Sequence, residues 1–167
     1  MKIDVHASVA TVDVGPPGGP YEAIPASATV EMSESDPYDL RVRVDWVPDE
    51  GRLSVREITY TAHPGGEPVR VANINRMAVS ELLHHALETS VLGSAGWAGI
   101  VDRHADVDKV RLDALVYLVA VALDSLKPSA TVAVARGMSP ASGPKRVAAA
   151  RKAGLIPETQ PGKASGV

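Results

Sequence analysis

Leu40, Val42, Val44 and Trp46 alternate with Arg41, Arg43 and Asp45, the two-residue period of a strand with one face in a core. Ala28, Val30 and Met32 alternate with polar neighbours in the same way. After Trp46, Pro48-Asp49-Glu50-Gly51 places proline early and glycine last, which suits a short hairpin turn. A return strand then runs from about Arg52 to Ala62. Its apolar parity shifts between Val55 and Ile58, which predicts a bulge near Arg56-Glu57. Before residue 25 the chain reads as one or two short strands. They are broken by Gly15-Pro16-Pro17-Gly18-Gly19-Pro20, a run that holds neither a helix nor a paired strand. The first half is therefore expected to be an antiparallel β-meander with one face buried.

From Asn75 the period becomes helical. Met77, Leu82, Leu83, Ala86 and Leu87 share a broad face, with Asn75 as N-cap, and a helix near 76–91 would cover the meander. Gly93-Ser94-Ala95-Gly96 and Gly99 read as a flexible connection, so a boundary falls near residue 100. Asp106 or Asp108 then caps a helix that runs to about Ser125. Its stretch Ala114–Leu123 is apolar nearly all round and must be covered on most sides. A central core helix does that. So does a contact with a second copy, through Leu115, Leu118 and Val119. Past Lys127-Pro128, Ser129 caps a short helix from Ala130 to Arg136 that Gly137 terminates. After the turn at Met138-Ser139, a third helix ends at Ala153-Gly154. Two short helices joined by a short glycine-containing turn form a helix-turn-helix, whose second member lies in the DNA major groove. The expected architecture is α+β. A β-rich module spans 1–100, a three-helix helix-turn-helix domain spans 101–157, and a flexible tail spans 158–167.

Composition sharpens this picture in two places. The 167 residues include no cysteine, which excludes disulfides, thiol nucleophiles and cysteine-liganded metal centres. The net charge of −3 hides a division: residues 1–126 hold 10 Lys+Arg against 19 Asp+Glu, while residues 127–167 hold 7 against 1. An acidic majority argues against nucleic acid. The basic final quarter, coinciding with the helix pair, argues for it locally. The opening MKIDVHASV carries an early Asp and no long apolar run, so it is not expected to be a signal peptide. The longest apolar run is about half of what a bilayer needs. A cytoplasmic location with no membrane contact is the expectation.

The run Val132-Ala133-Val134-Ala135-Arg136-Gly137-Met138-Ser139, followed by Arg151-Lys152-Ala153-Gly154-Leu155-Ile156-Pro157, resembles a helix-turn-helix type found in proteins of actinobacterial phages, prophages and integrative elements. Those proteins have a VAxxxGxS segment, a short helix ending in AR, then xxGLLP and a Gly-Lys tail, to which Pro161-Gly162-Lys163-Ala164 is similar. The resemblance covers residues 112–164, about a third of the chain; the part up to Leu87 is only loosely similar. Aligned on Gly137, Arg136 and Arg146 fall where the motif buries an apolar side chain, and an unpaired charge there is costly. Gly143-Pro144 falls inside the presumed recognition helix. Starting that helix later, with Ser142 as N-cap and Pro144 in its first turn, removes the conflict. Val147, Ala148 and Ala150 would then form its packed side.

The resemblance implies a DNA-binding regulator or accessory protein of a phage or mobile element, bound to double-stranded DNA as a homodimer on paired half-sites. The residues assigned to DNA are Ser142, Lys145, Arg146, Arg151 and Lys152, with Lys127 and Lys163 as further phosphate partners and Ala141 as a further base contact. The alternative is a protein-interaction module that binds a host or phage protein, its acidic first 126 residues attracting a basic partner. No catalytic signature is present: G-x-S-x-G, P-loop and HExxH patterns are lacking. An enzyme, a cofactor and a metal are not expected. His104-Ala-Asp106-Val-Asp108 has metal-ligand spacing without a second ligand cluster. His84 and His85 point about 100° apart on a helix, one packed and the other solvent-facing.

Overall fold

The opening alternation becomes an antiparallel sheet in the computed structural model, which describes residues 2–33, 38–70 and 79–157. The strands are β1 (Lys2–Ala7), β2 (Thr11–Val14), β3 (Glu22–Pro25), β4 (Ser27–Ser33), β5 (Tyr38–Val47) and β6 (Arg52–Ala62). Four of them form one sheet in the order β1-β4-β5-β6, every neighbour antiparallel, while β2 and β3 form a two-stranded sheet. The Ser8 amide donates to the Ser27 carbonyl and the Ala26 amide to the Ala10 carbonyl, both at 2.8 Å. These bonds bridge the two ladders, so β1–β2 and β3–β4 are the arms of one long bent hairpin. The proline- and glycine-rich run forms its tip.

Alternation sorts the faces as the pattern requires. Ala28, Val30 and Met32 of β4 and Leu40, Val42 and Val44 of β5 are buried. Arg41 on the opposite face pairs with Glu31 at 2.8 Å. The β5–β6 turn is closed by the Gly51 amide on the Val47 carbonyl at 2.9 Å. Hydrogen bonds from Arg52 and Ser54 hold the Glu50 carboxyl there below its ordinary range. Arg43 is opposite Glu57 and Val44 is opposite Val55, which leaves Arg56 as the extra residue of a bulge. The parity shift predicted it. The meander is nevertheless not buried across its whole width. Only Leu53 of β6 is buried, while Val55 and Ile58 remain 44% and 42% exposed. The covering helix α1 (Val79–Leu92) accounts for this, because it packs against β1 and β4, away from β6. Leu83, Ala86 and Leu87 form its buried side. The expected cap Asn75 and Met77 lie outside the described residues.

The expected flexible connection is instead ordered. A 3₁₀ turn at Gly93–Ala95 leads into α2 (Gly96–Arg103), which the fully buried Ile100 anchors. Helix α3 (Lys109–Ala122) follows, then α4 (Pro128–Ala135) and α5 (Gly143–Lys152), the last preceded by a 3₁₀ turn at Pro140–Ser142. Helix α3 stops before the expected Ser125 because Asp124 takes a left-handed conformation (φ 56°). No helix among the described residues is long and apolar enough to cross a membrane.

The chain divides into two compact units, and not by a single cut in the sequence. The first gathers Met1–Asp13, Ala23–Gly96 and Val121–Leu126; the second gathers Val14–Glu22, Trp97–Ala120 and Lys127–Val167. Within the second unit the hairpin tip is held by Arg111, whose Nη1 donates to the carbonyls of Pro17 and Gly19, each at 3.0 Å.

Candidate nucleic-acid interface

Helix α3 begins where a carboxylate can satisfy its first amides. Asp108 Oδ1 accepts from Val110 N–H at 2.9 Å and from Arg111 N–H at 3.3 Å, so Asp108 rather than Asp106 is the cap. Leu112, Ala114, Leu115, Val116, Val119 and Ala120 are buried to 1% exposure or less. The helix is therefore a core helix. Leu115 and Val119, expected at a contact with a second copy, present no surface to one. Leu118 is half-buried and lines a shallow apolar groove with Pro16, Tyr21, Leu155 and Pro157.

Two short helices pack beside α3. Pro128 occupies the first turn of α4, where a residue without an N–H costs nothing. Lys127 holds the N-cap position as a result, and Ser129, the expected cap, falls inside the helix. Gly137 (φ 65°) ends α4. Its amide donates to the Val134 carbonyl and that of Met138 to the Ala133 carbonyl, both at 2.9 Å, which is a Schellman closure. Ser142 precedes α5 as predicted, with Gly143 and Pro144 in the first turn. Its hydroxyl does not cap, however, but donates to the Ser139 carbonyl at 2.8 Å. Gly143 has ordinary helical torsions (φ −59°), so a left-handed conformation does not explain the glycine. A Cβ there would run into the backbone carbonyl of Ser129. The two helix starts meet backbone to backbone, and glycine is what lets them. The packed side of α5 is Gly143, Val147 and Ala150, at helical spacing. Ala148, expected on that side, is exposed because it lies one residue, about 100°, around the helix from Val147.

The two arginines that fell on apolar positions share one partner. Asp113 of α3 is only 4% exposed. Arg146 Nη1 donates to its Oδ2 at 2.7 Å, and Arg136 Nε lies 3.8 Å from its Oδ1. Arg146 Nη2 also donates to Met138 Sδ at 2.8 Å. One carboxylate thus neutralises a cation at the C-terminal cap of α4 and another from α5. Arg151 is also turned back onto α3. Its guanidinium carbon lies 5.5 Å from the Tyr117 ring centroid, and Nη2 donates to Tyr117 Oη at 3.0 Å.

Of the five residues assigned to DNA, then, Arg146 and Arg151 are committed to α3 and Ser142 to its own turn. Lys145 and Lys152 are exposed on one side of α5, about 10 Å apart along its axis. Ala148 and Ala149 lie exposed between them, and Ala141 is exposed in the preceding turn. Lys127 is exposed at the start of α4; Lys163 lies outside the described residues. Pattern reading missed Asp113 and Tyr117. The available signal was Asp113 itself, a charge at the start of an otherwise apolar stretch, which calls for a partner once buried.

The histidines are accounted for locally. His104 Nε2 lies 2.9 Å from Glu22 Oε1, whose carboxylate also takes Arg103 at 3.1 Å. With Asp108 used as a cap, the residues spaced as metal ligands do not converge. Among the described residues, no group of three or more His, Asp or Glu side chains is arranged to hold a metal. His84 is the half-buried member of its pair, 3.1 Å from Glu88, and His85 faces solvent. No family model, curated protein or solved structure matches this chain.

Proposed function

We propose that the chain is a DNA-binding regulator or accessory protein of the kind phages and mobile elements carry, with α4 and α5 as a helix-turn-helix on the supporting helix α3. The observation that carries this reading is the outer side of α5. It presents Lys145 and Lys152 with no acidic side chain in the helix, on a pair joined by a glycine-closed turn. In this role the lysines meet phosphates on either side of the groove. Arg136, Arg146 and Arg151 set the stance of the helices rather than touch DNA.

Two to three phosphate contacts predict a slope of about −2 to −3 in log K against log[salt]. Fluorescence anisotropy with a random duplex, between about 50 and 200 mM salt, measures it. Lys145→Ala with Lys152→Ala should lower the affinity and flatten the slope by about 2. Absence of binding at the lower salt concentration overturns the proposal. The commitment of Arg146 and Arg151 to α3 favours the second reading, a module that binds a host or phage protein. That reading would then stand. Specific binding by so few contacts calls for two copies on paired half-sites.

A further inference from the structure

We propose that the chain self-associates through β6, two copies pairing their edge strands antiparallel about a two-fold axis between Arg56 and Glu57. The inference does not depend on DNA binding. Among the described residues β6 is an edge of the four-stranded sheet, and it is 11 residues long. An edge of that length offers a row of unpaired amides and carbonyls. Beyond the buried Leu53, its inner side is uncovered as well. Val55 and Ile58 lie opposite the buried Val44 and Val42, on the core-facing side, and yet are among the exposed apolar residues.

The bulge selects the occupant. In an unbulged strand, a two-fold axis that keeps inner residues opposite inner residues must run through a residue, which then faces its own copy. The extra residue Arg56 shifts the faces of β6 by one and moves that axis between two residues. With the axis between Arg56 and Glu57, each arginine stands opposite the glutamate of the second copy. Val55 then faces Ile58, Ser54 faces Thr59 and Leu53 faces Tyr60. Apolar meets apolar, hydroxyl meets hydroxyl, and opposite charges meet twice. Such cross-strand pairs are the unit of sheet stabilisation, and a self-complementary patch is what a closed dimer needs.

The absence of cysteine makes the register directly testable. Residues 54 and 59 of one chain are about 16 Å apart along the strand, too far for a disulfide, whereas directly opposed residues are about 5 Å apart. The full chain should sediment as a dimer. On oxidation, Ser54→Cys with Thr59→Cys should give a covalent dimer, and neither single variant should. Arg56→Glu or Glu57→Arg alone sets like charges opposite each other twice and should weaken the dimer about tenfold, and the double reversal should restore it. These side chains are exposed, and the pairings they lose within their own chain, Glu57 opposite Arg43 and Arg56 3.8 Å from Asp45, are surface ones whose effect on the monomer fold thermal melts of the variants measure separately. A monomer for the unaltered chain overturns the proposal. So does a dimer indifferent to both single reversals, or a disulfide dimer formed equally well by either single cysteine.

Discussion

Asp113 ties the helices of the helical unit together, because two cations converge on it where little water reaches. Removing one partner from a buried pair strands the other charge, at about 3–5 kcal/mol. Asp113→Leu should therefore lower stability by that order in urea unfolding monitored by circular dichroism. Replacing all three groups together, Asp113→Leu with Arg136→Leu and Arg146→Leu, should recover most of the loss, because well-packed apolar side chains do as well as a buried ion cluster. Failure of the triple variant to recover would mean that the cluster does more than neutralise itself. Gly143 offers a test of opposite sign from the usual rule. In most helices glycine to alanine gains about 0.5–1 kcal/mol. Here Gly143→Ala should cost about 1–3 kcal/mol, since the added methyl meets the Ser129 carbonyl. A stabilised variant would show that α4 and α5 have room to part.

At the scale of elements, the starts and stops follow from local chemistry. Asp108 satisfies two amides of α3, and Asp108→Ala should cost about 1 kcal/mol. Asp106→Ala should stay within about 0.5 kcal/mol, as a surface change away from a cap. Thermal melts of the two variants separate the two candidate caps. The strands β4, β5 and β6, the hairpin turn and the bulge were legible in the alternation, because a period of two leaves one register that buries the apolar set. The order of the segment at 93–103 was not legible. Its glycines signal flexibility locally, and what fixes α2 is the burial of Ile100, a tertiary fact.

At the scale of the whole molecule, the net charge of −3 is the least informative statement of its electrostatics. The basic final quarter holds seven cations, but three of them are drawn inward against Asp113 and Tyr117. Charge counted along a sequence assumes that every head reaches solvent, and this helical unit departs from that. The salt dependence of the proposed DNA binding is thus expected to reflect two or three lysines rather than the whole basic quarter.

The sequence by itself determined the α+β division, the faces of β4 and β5, the place of the bulge and the glycine-closed end of α4. These depend on period and on backbone torsions, which neighbouring residues set. Only the tertiary structure decided that Leu115 and Val119 belong to the core, that α1 leaves β6 uncovered, and that Arg136 and Arg146 share Asp113. Each of those depends on which distant surface arrives beside a side chain, and no local pattern encodes that.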